Sequence, residues 1–344
     1  MKPLSTIDFS GLINPEDVTE LTSELVRIPS VTGKEGDVAE FISEKLAGLG
    51  FDVRVYEADV GRPNVVGTLK GTEGEPTLIL NGHMDTVPPG EEGLWSKDPY
   101  GGEISGGRVY GRGSCDMKGG LACMLTAVEA ILKCGVKLRG DLIYTAVVDE
   151  EGGGLKGTKF LVEKGVKGDY AVIGEPTELE VQVAHKGDLG LELTVKGRLA
   201  HAATPELGLN AIHKMLNVGR ALLTIPERFR WDLKRHRLVG SPTIGISVIE
   251  GGIQRNMVPD RCKAIIDRRV VPSLESLEEA RAEVESVLNS LKKEDNELNV
   301  ELRTILDVEA CEVEEDKEVV KVLKSCVRKC LGIEAEVTGA PYFT

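Results

Sequence analysis

Three consecutive acidic residues follow an apolar stretch near the middle of the chain. Residues 142–148 are apolar and partly β-branched, which is typical of a buried strand, and they lead into Asp149, Glu150 and Glu151. Two full charges about 4 Å apart repel each other by roughly 4 kcal/mol at an effective dielectric constant near 20. A solvated acidic turn is the simpler explanation for one such stretch taken alone. Its neighbours in the sequence favour a site that holds a positive charge.

Possible metal ligands follow a strand or a turn at three further places. His83 follows one short apolar strand, Glu175 follows another, and Asp116 follows a glycine-rich turn. Strands that alternate with helices predict a largely parallel sheet, and ligands of such sheets bind outside the carboxyl ends of the strands. We therefore expect five side chains to converge on one edge of the sheet: His83, Asp116, Glu150, Glu151 and Glu175.

Imidazole and carboxylate groups are the ligands of catalytic zinc, which keeps one position open for water. Two metal ions about 3.5–4 Å apart need a bridging ligand, and a carboxylate can supply it. Asp85 lies two residues from His83 and could accept the other imidazole N–H. Taken singly, each residue has a simpler explanation: a loop histidine, an aspartate that begins a helix, or an exposed glutamate before a proline. Their matching positions at strand ends favour the metal site.

The order of elements changes after about residue 183. From there the sequence predicts strand, helix, strand, strand, helix and strand, which is the ferredoxin-like order. We interpret residues 183–303 as a separate α+β domain inserted into a catalytic domain formed by residues 1–182 and 304–344. The predicted fold class is α/β, with a mostly parallel mixed sheet in the catalytic domain.

Composition excludes several classes of protein. The chain has 344 residues, enough for two domains, and its net charge of −14 argues against nucleic acid and anionic membranes as partners. It has no apolar run of about 18 residues that could span a bilayer. Residues 1–17 lack the apolar core of a signal peptide, and the seven cysteines form no CxxC motif. We expect a cytoplasmic protein with free thiols.

Five stretches of the sequence carry a resemblance to a known family. They are NGHMDTVPPG, YGRGSCDMKGGLA, VVDEEGGGLKGT, VIGEPTELEVQVAHKG and GRLAHAATPELGLNAI. They closely resemble the acetylornithine deacetylase, succinyl-diaminopimelate desuccinylase and aminoacylase family, which also includes carboxypeptidase G2-like peptidases. The resemblance runs from about residue 15 to the end of the chain. It implies a zinc-peptidase-like catalytic domain and an inserted domain that acts as a lid and forms a homodimer.

The resemblance also implies a dinuclear metal centre. It implies two zinc ions per subunit, which cobalt could replace. His83 and Glu175 would bind one zinc ion, Asp116 would bridge the two, and Glu151 would bind the second. The family often has a cis peptide bond after the bridging aspartate, which here is the bond between Asp116 and Met117.

Catalytic and substrate-binding roles follow from the same resemblance. Glu150 would be the general base, and Asp85 would orient the zinc-binding imidazole. His201 would reach from the inserted domain into the active site of a dimer partner and stabilise the transition state. Asn256 and Arg269 would hold the carboxylate of the substrate.

The family pattern continues beyond a segment similar to GAPYFT with an aspartate, a glycine-rich strand and a late histidine that completes the second zinc site. This chain ends at Thr344, and its last histidine is His236. We therefore expect the second metal ion to bind weakly or not at all, and the activity of this 344-residue form to be low.

The predicted function is metal-dependent hydrolysis of the amide bond of an N-acyl amino acid, as in acetylornithine deacetylase or succinyl-diaminopimelate desuccinylase. Arg269 gives a physical reason for a free carboxylate on the substrate. A dipeptidase or carboxypeptidase of the same family, acting on a dipeptide, is one alternative. A non-catalytic relative with a binding role is another, although such a protein has little physical need for Glu150.

Overall fold

The computed structural model describes residues 12–344. The first eleven residues, on which the expectation about a signal peptide partly rests, lie outside the described part of the chain. The chain divides into two units, with the boundary between Glu178 and Leu179. The predicted insertion of residues 183–303 between two parts of one catalytic domain is not tested by this division and stays a prediction.

Helices and strands alternate in the first unit. Its first helix begins after Asn14, whose side chain accepts the Glu16 N–H at 3.2 Å, and Pro15 occupies the first helical position, where no N–H partner is needed. The helices are α1 (Pro15–Val26), α2 (Gly36–Gly48), α3 (Lys118–Lys133) and α4 (Thr158–Glu163). The strands are β1 (Asp52–Asp59), β2 (Arg62–Leu69), β3 (Gly74–His83), β4 (Glu103–Ser105), β5 (Arg108–Tyr110), β6 (Gly140–Val147) and β7 (Tyr170–Ile173).

Five strands of the first unit form one mixed sheet in the order β1-β2-β6-β3-β7. The pairs β6–β3 and β3–β7 are parallel, whereas β1–β2 and β2–β6 are antiparallel. The parallel half consists of the three strands that precede the predicted ligands. The carboxyl ends of β6, β3 and β7 consequently lie side by side.

A close-packed core fixes the parallel strands against helices α2 and α3. Buried apolar side chains of the two helices pack with those of the sheet in one cluster, which includes Val38, Ile42, Leu46, Leu121, Leu125, Val128, Leu142, Tyr144 and Ala146. Gly82, next to His83, permits this contact, because a Cβ atom there would lie 2.7 Å from side-chain atoms of Leu121 and Met117. The end of β3 is therefore held tightly where the imidazole begins.

The second unit contains three sheets, of four, three and two strands. Its strands are β8 (Val181–His185), β9 (Gly187–Lys196), β10 (Ala200–His201), β11 (Thr243–Gly251), β12 (Met257–Val258), β13 (Arg261–Val270), β14 (Asn299–Val308), β15 (Cys311–Glu312) and β16 (Val337–Ala340). Its helices are α5 (Ala211–Leu222), α6 (Ile225–Arg228), α7 (Leu277–Glu294) and α8 (Glu318–Leu331). Strands β15, β8 and β16 form a three-stranded sheet in that order, and β10 pairs separately with β12.

The larger sheet of the second unit has the predicted ferredoxin-like order of elements. Strands β11-β13-β9-β14 lie side by side, and every neighbouring pair is antiparallel. Helices α5 and α7 connect β9 to β11 and β13 to β14, and their buried residues share one core with the sheet. A capping box begins α7, where the Ser276 hydroxyl accepts the Glu279 N–H at 3.1 Å.

Among the helices of residues 12–344, none has both the length and the apolar character needed to cross a bilayer.

A buried ionic cluster lies beside the larger core of the second unit. Arg268 is fully buried, and its guanidinium contacts the Glu275 carboxylate at 2.8 and 2.9 Å and Glu283 at 3.0 Å. The same guanidinium lies 4.0 Å from the ring centroid of Trp231. Lys234 also pairs with both glutamates. A buried group of this kind tolerates the loss of one member poorly, because the partners are left charged in a medium of low polarity.

We expect Arg268→Met to lower the free energy of unfolding by about 3–5 kcal/mol, because Glu275 and Glu283 lose their buried partner. Urea unfolding followed by circular dichroism measures the change. Arg303→Met is the matched control, since Arg303 is 69% exposed and its pair with Glu192 should contribute only about 0–1 kcal/mol. Equal losses for the two variants would contradict the argument.

Candidate metal centre

The parallel strands bring the predicted ligands to one edge of the first unit's sheet. In the register of the sheet His83, the last residue of β3, lies opposite Val147, the last residue of β6. Glu150 and Glu151 follow β6 after a short turn, and Glu175 follows β7. The order β6-β3-β7 thus places the histidine between the two strands that lead to glutamates. The prediction that these strand ends converge is confirmed.

His83 lies at the centre of a cluster of carboxylates. Its Nε2 atom lies 2.9 Å from Asp116 Oδ1, 3.7 Å from Glu175 Oε1 and 3.8 Å from Glu150 Oε2. Two sets of side chains have ligand atoms within 4.8 Å of one another: His83 with Glu150 and Glu175, and His83 with Asp116 and Glu151. Asp116 comes from the loop between β5 and α3, and the bond between Asp116 and Met117 is cis, as the resemblance implies.

The protonation of the cluster reflects the mutual repulsion of its carboxylates. Burial disfavours a charged His83, but the hydrogen bonds to Asp116 and Asp85 and the charges of Glu175 and Glu150 raise its pKa to about 11. Burial raises the pKa of Glu150 to about 8, against the opposing charge of His83, and Glu175 and Glu151 raise it further. Burial followed by the charge of Asp116 also raises the pKa of Glu151. Protons therefore supply the positive charge that the cluster requires.

The donor set fits a divalent metal ion. One imidazole nitrogen and several carboxylate oxygens within a few ångströms of each other are the ligands that zinc uses in catalytic sites. A cation would replace the protons on His83 and Glu150 and cancel the repulsion among the acidic groups. His83, Asp116, Glu151 and Glu175 are the residues that would hold it.

The second nitrogen of His83 fixes the ring. His83 Nδ1 lies 2.9 Å from the backbone oxygen of Asp85 and 3.5 Å from its carboxylate Oδ1. A carbonyl oxygen only accepts, so Nδ1 carries a hydrogen. Without a cation Nε2 carries one as well and donates it to Asp116, and a metal ion that displaced this second proton would meet a lone pair directed at the carboxylates. The shorter contact to Nδ1 thus comes from the Asp85 backbone and not from its carboxylate.

The carboxylate of Asp85 joins three segments of the first unit. It is fully buried and accepts the backbone N–H groups of Glu150 at 3.1 Å and of Glu151 at 3.3 Å. The Thr32 hydroxyl donates to it at 2.8 Å. Burial acts to raise the pKa of Asp85, but the hydrogen bonds and the charge of His83 outweigh it and lower that pKa. Asp85 therefore stays ionised and holds the turn after β6 next to His83.

Comparison with known proteins assigns the chain to a family. Residues 79–344 match the model of peptidase family M20/M25/M40. A succinyl-diaminopimelate desuccinylase of Methylorubrum extorquens is 37% identical over 262 residues, which cover 72% of this chain and 67% of that relative. A desuccinylase of Alkalilimnicola ehrlichii is 33% identical over 284 residues, or 79% of this chain and 73% of the relative.

This chain belongs to peptidase family M20/M25/M40.

Solved structures of the family have the same fold. The M20 family metallo-carboxypeptidase of Sulfolobus solfataricus superposes with a TM-score of 0.79 at 18% identity, over 95% of this chain and 87% of that protein. The aminopeptidase PepT of Bacillus cereus gives a TM-score of 0.73 at 25% identity, over 97% and 87%. The predicted α/β class and the predicted resemblance are both confirmed.

Three further predicted residues of this M20 family member lie in the second unit. The pairing of β10 with β12 sets His201 opposite Met257, so His201 and Asn256 lie near each other, and both are exposed. Arg269 lies on β13 and is already paired: its Nε and Nη2 contact Asp267 at 2.8 Å, and Nη2 contacts Asp188 at 3.0 Å. The roles of these residues stay predictions.

Several residues that position the metal-binding segments were not found by sequence reasoning. Lys118 is fully buried, and its ammonium group donates to the backbone oxygens of Leu25 at 3.0 Å and Ile28 at 2.7 Å, which ties the Asp116 loop to the end of α1. A lysine inside the motif CDMKGG was the one available signal. Thr32, Arg62 and Asn64 also contact the acidic turn or its supports, and nothing in their spacing indicates it.

We expect a chelator-treated chain to bind two Zn²⁺ or Co²⁺ ions with unequal affinity. His83 is the one histidine of residues 1–178, and a single imidazole nitrogen faces the carboxylates, so one ion gains a nitrogen ligand and the other gains oxygen alone. Isothermal titration calorimetry measures both steps. Two ions of equal, tight affinity would contradict this expectation.

The same titration should depend on pH in a defined direction. Without a cation His83, whose pKa is about 11, and Glu150, whose pKa is about 8, hold protons at neutral pH. Metal ions must displace these protons, so the affinity should fall as the pH falls, roughly tenfold per pH unit for each proton released. An affinity that does not change between about pH 6 and about pH 8 would show that the cluster binds metal without releasing protons.

Proposed function

We propose that this chain hydrolyses the amide bond of an N-acyl amino acid with the help of divalent zinc. The observation that carries the proposal is the cluster of Asp116, Glu150, Glu151 and Glu175 around a single buried imidazole at the ends of three parallel strands. Zinc bound in such a donor set supplies Lewis acidity, polarises a carbonyl group and lowers the pKa of water. The chain's own residues supply proton transfer and orientation.

Glu150 is the proposed general base. It lies in the cluster, 3.8 Å from His83 Nε2, and its side chain is partly exposed, so a water molecule can reach it. Burial raises the pKa of its carboxyl group to about 8 in the metal-free chain, so the group readily holds a proton near neutral pH. Glu150 would take a proton from the attacking water and pass it to the leaving amine.

N-succinyl-diaminopimelate is the proposed substrate. The relatives at 33–37% identity are named succinyl-diaminopimelate desuccinylase, and the alignment of the first covers 67% of its length. Asn256 and Arg269 would hold the carboxylate of the substrate. The guanidinium of Arg269 is kept in place by Asp267 and Asp188 through Nε and Nη2, so Nη1 would donate to the substrate carboxylate.

The substrate class is tested by assaying the metal-loaded chain side by side on N-succinyl-diaminopimelate, N-acetylornithine and a simple dipeptide. We expect the highest kcat/KM on the succinylated substrate. A preference for the dipeptide would favour the peptidase alternative. Zinc binding without hydrolysis of any of the three would favour the non-catalytic relative.

We expect Glu150→Gln to lower kcat by roughly a hundred- to ten-thousand-fold, because the amide cannot take up the proton. The first metal ion should bind as tightly as before, since Glu150 is proposed as base and not as ligand. Glu151→Gln is the matched control next to it in the chain, and it should weaken binding of the second ion. Loss of the first ion from Glu150→Gln would instead make Glu150 a ligand, because Glu150, His83 and Glu175 form one of the two sets.

A homodimer formed through the second unit is part of the proposal. Strand β11 lies at one end of the four-stranded sheet, and no strand of residues 12–344 pairs with its outer side, which a further strand could join. Apolar side chains are exposed along this edge and just beyond it: Val248, Ile249 and Ile253. A second copy of the chain fits such an edge, because two antiparallel strands of identical sequence can pair about a twofold axis. His201 of each subunit would then serve the active site of the other.

We expect mixing of two inactive variants, Glu150→Gln and His201→Asn, to restore about a quarter of the wild-type activity, because half of the dimers formed at random are mixed and each has one intact site. Activity of the re-equilibrated mixture against each variant alone is the measurement. Val248→Lys in both chains should abolish the restored activity, whereas Val60→Lys, at a 93% exposed position of the first unit, should not. No restoration by dimeric variants would show that His201 acts within its own subunit or not at all.

A further inference from the structure

The turn that carries Glu150 and Glu151 needs contacts from other segments to keep its backbone in one conformation. Asp149 adopts a positive φ of 70°, and Gly153 and Gly154 also have positive φ. The Asp149 carbonyl accepts the N–H groups of Gly152 at 3.1 Å and Gly154 at 2.6 Å. The directions of the two glutamates therefore depend on what holds Asp149 in place.

Strand β2 holds both ends of this turn. Asn64 is fully buried, accepts the Val148 N–H at 3.1 Å and donates to the Lys156 carbonyl at 2.8 Å. One amide side chain thus joins the residue before Asp149 to the residue that closes the turn. The Lys156 N–H in turn donates to Asp149 Oδ2 at 3.1 Å.

Arg62, two residues before Asn64, fixes Asp149 itself. Its Nη2 contacts Asp149 Oδ1 at 3.0 Å and Glu35 Oε1 at 2.8 Å, and its Nε lies 2.8 Å from Glu35 Oε2. Glu35 is fully buried and also accepts the Gly33 N–H at 2.9 Å. The guanidinium is therefore fastened to the loop before α2 and presents a fixed donor to the acidic turn.

This ionic group is separate from the metal ligands. Neither Glu35 nor Asp149 belongs to the two sets of side chains around His83. Loss of Arg62 would remove no metal ligand, and it would release the residue that precedes Glu150 in the chain. The expected consequence is a misdirected base in a site whose ligands remain.

We propose that Arg62 is a positioning residue that directs Glu150 through its contacts with Asp149 and Glu35. The proposal rests on the function proposed above for Glu150. Both hydrogen bonds come from Nη2, whose two N–H bonds are held in fixed directions by the plane of the guanidinium, whereas the N–H bonds of a lysine ammonium rotate freely on a flexible stem. A displacement of about 1 Å at a catalytic group can cost a factor of about a hundred in rate.

The first test compares kinetics of Arg62→Lys, Asp149→Asn and the double variant. We expect each single variant to lower kcat roughly ten- to a hundredfold with KM within about threefold of wild type. The double variant should lose no more than the worse single variant, since both substitutions break the same link. Arg139→Lys is the control, because Arg139 is 75% exposed and pairs with Glu73 at the surface. Fully additive losses, or an unchanged kcat in both single variants, would overturn the proposal.

The second test does not depend on catalysis. Hydrogen exchange of the metal-free chain measures the protection of the Glu150 and Glu151 backbone amides, which donate to the Asp85 carboxylate. We expect Arg62→Lys to accelerate their exchange at least about tenfold, with amides of β6 in the first unit unchanged. Equal acceleration in β6, or none in the turn, would overturn the proposal, because the effect would then be global or absent. If the wild-type chain hydrolyses none of the substrates, the proposed function fails and this exchange measurement alone decides the role of Arg62.

Discussion

The structure of the first unit depends on the electrostatic repulsion among carboxylates that the ends of β6 and β7 and the loop after β5 bring to one place. Asp116, Glu150 and Glu175 all lie within 4 Å of one imidazole nitrogen of His83. Ligand atoms lie within 4.8 Å of one another in each set, and ionised carboxylates at such separations repel each other by several kcal/mol unless positive charge lies among them. The raised pKa values of His83 and Glu150 are the response of a metal-free cluster, which takes up protons in place of a cation. Folding alone gives no reason to gather these groups.

Much of the first unit counters that repulsion. The ends of β3, β6 and β7 are fixed by parallel pairing and by the core under α2 and α3. The Asp85 carboxylate then binds two backbone N–H groups of the acidic turn. The negative charge of Asp85 is balanced by these two N–H groups and by the His83 imidazole. Asp85 therefore restrains the turn without adding an unpaired negative charge next to the ligand sets.

The sequence predicted which strand ends meet, and it did not predict the sheet order or the side-chain contacts that hold them there. Apolar runs that end in His83, Glu150 and Glu175 are local patterns, and the expectation that parallel strands end at one edge is general. Sheet order is not local: β2 lies between β1 and β6 and makes half of the sheet antiparallel, which the alternation of strands and helices did not reveal. The contacts of Arg62 with Glu35 and Asp149 join residues 27 and 87 positions apart, and no short motif encodes such pairs.

Arg269 is an example of a residue that a motif identifies without predicting which side chains surround it. The resemblance implies that this guanidinium holds a substrate carboxylate, and the structure places it between Asp267 and Asp188. Burial raises the pKa of Asp188 to about 6, and Arg269 opposes the rise.

Two carboxylates around one guanidinium offset its positive charge, so Arg269 by itself attracts anions weakly. The guanidinium still donates hydrogen bonds in fixed directions, because Asp267 binds Nε and Nη2 and thereby fixes the plane of the group. A substrate carboxylate would therefore be selected by the alignment of hydrogen bonds more than by charge, and that kind of selection discriminates between acyl amino acids of equal charge and different shape.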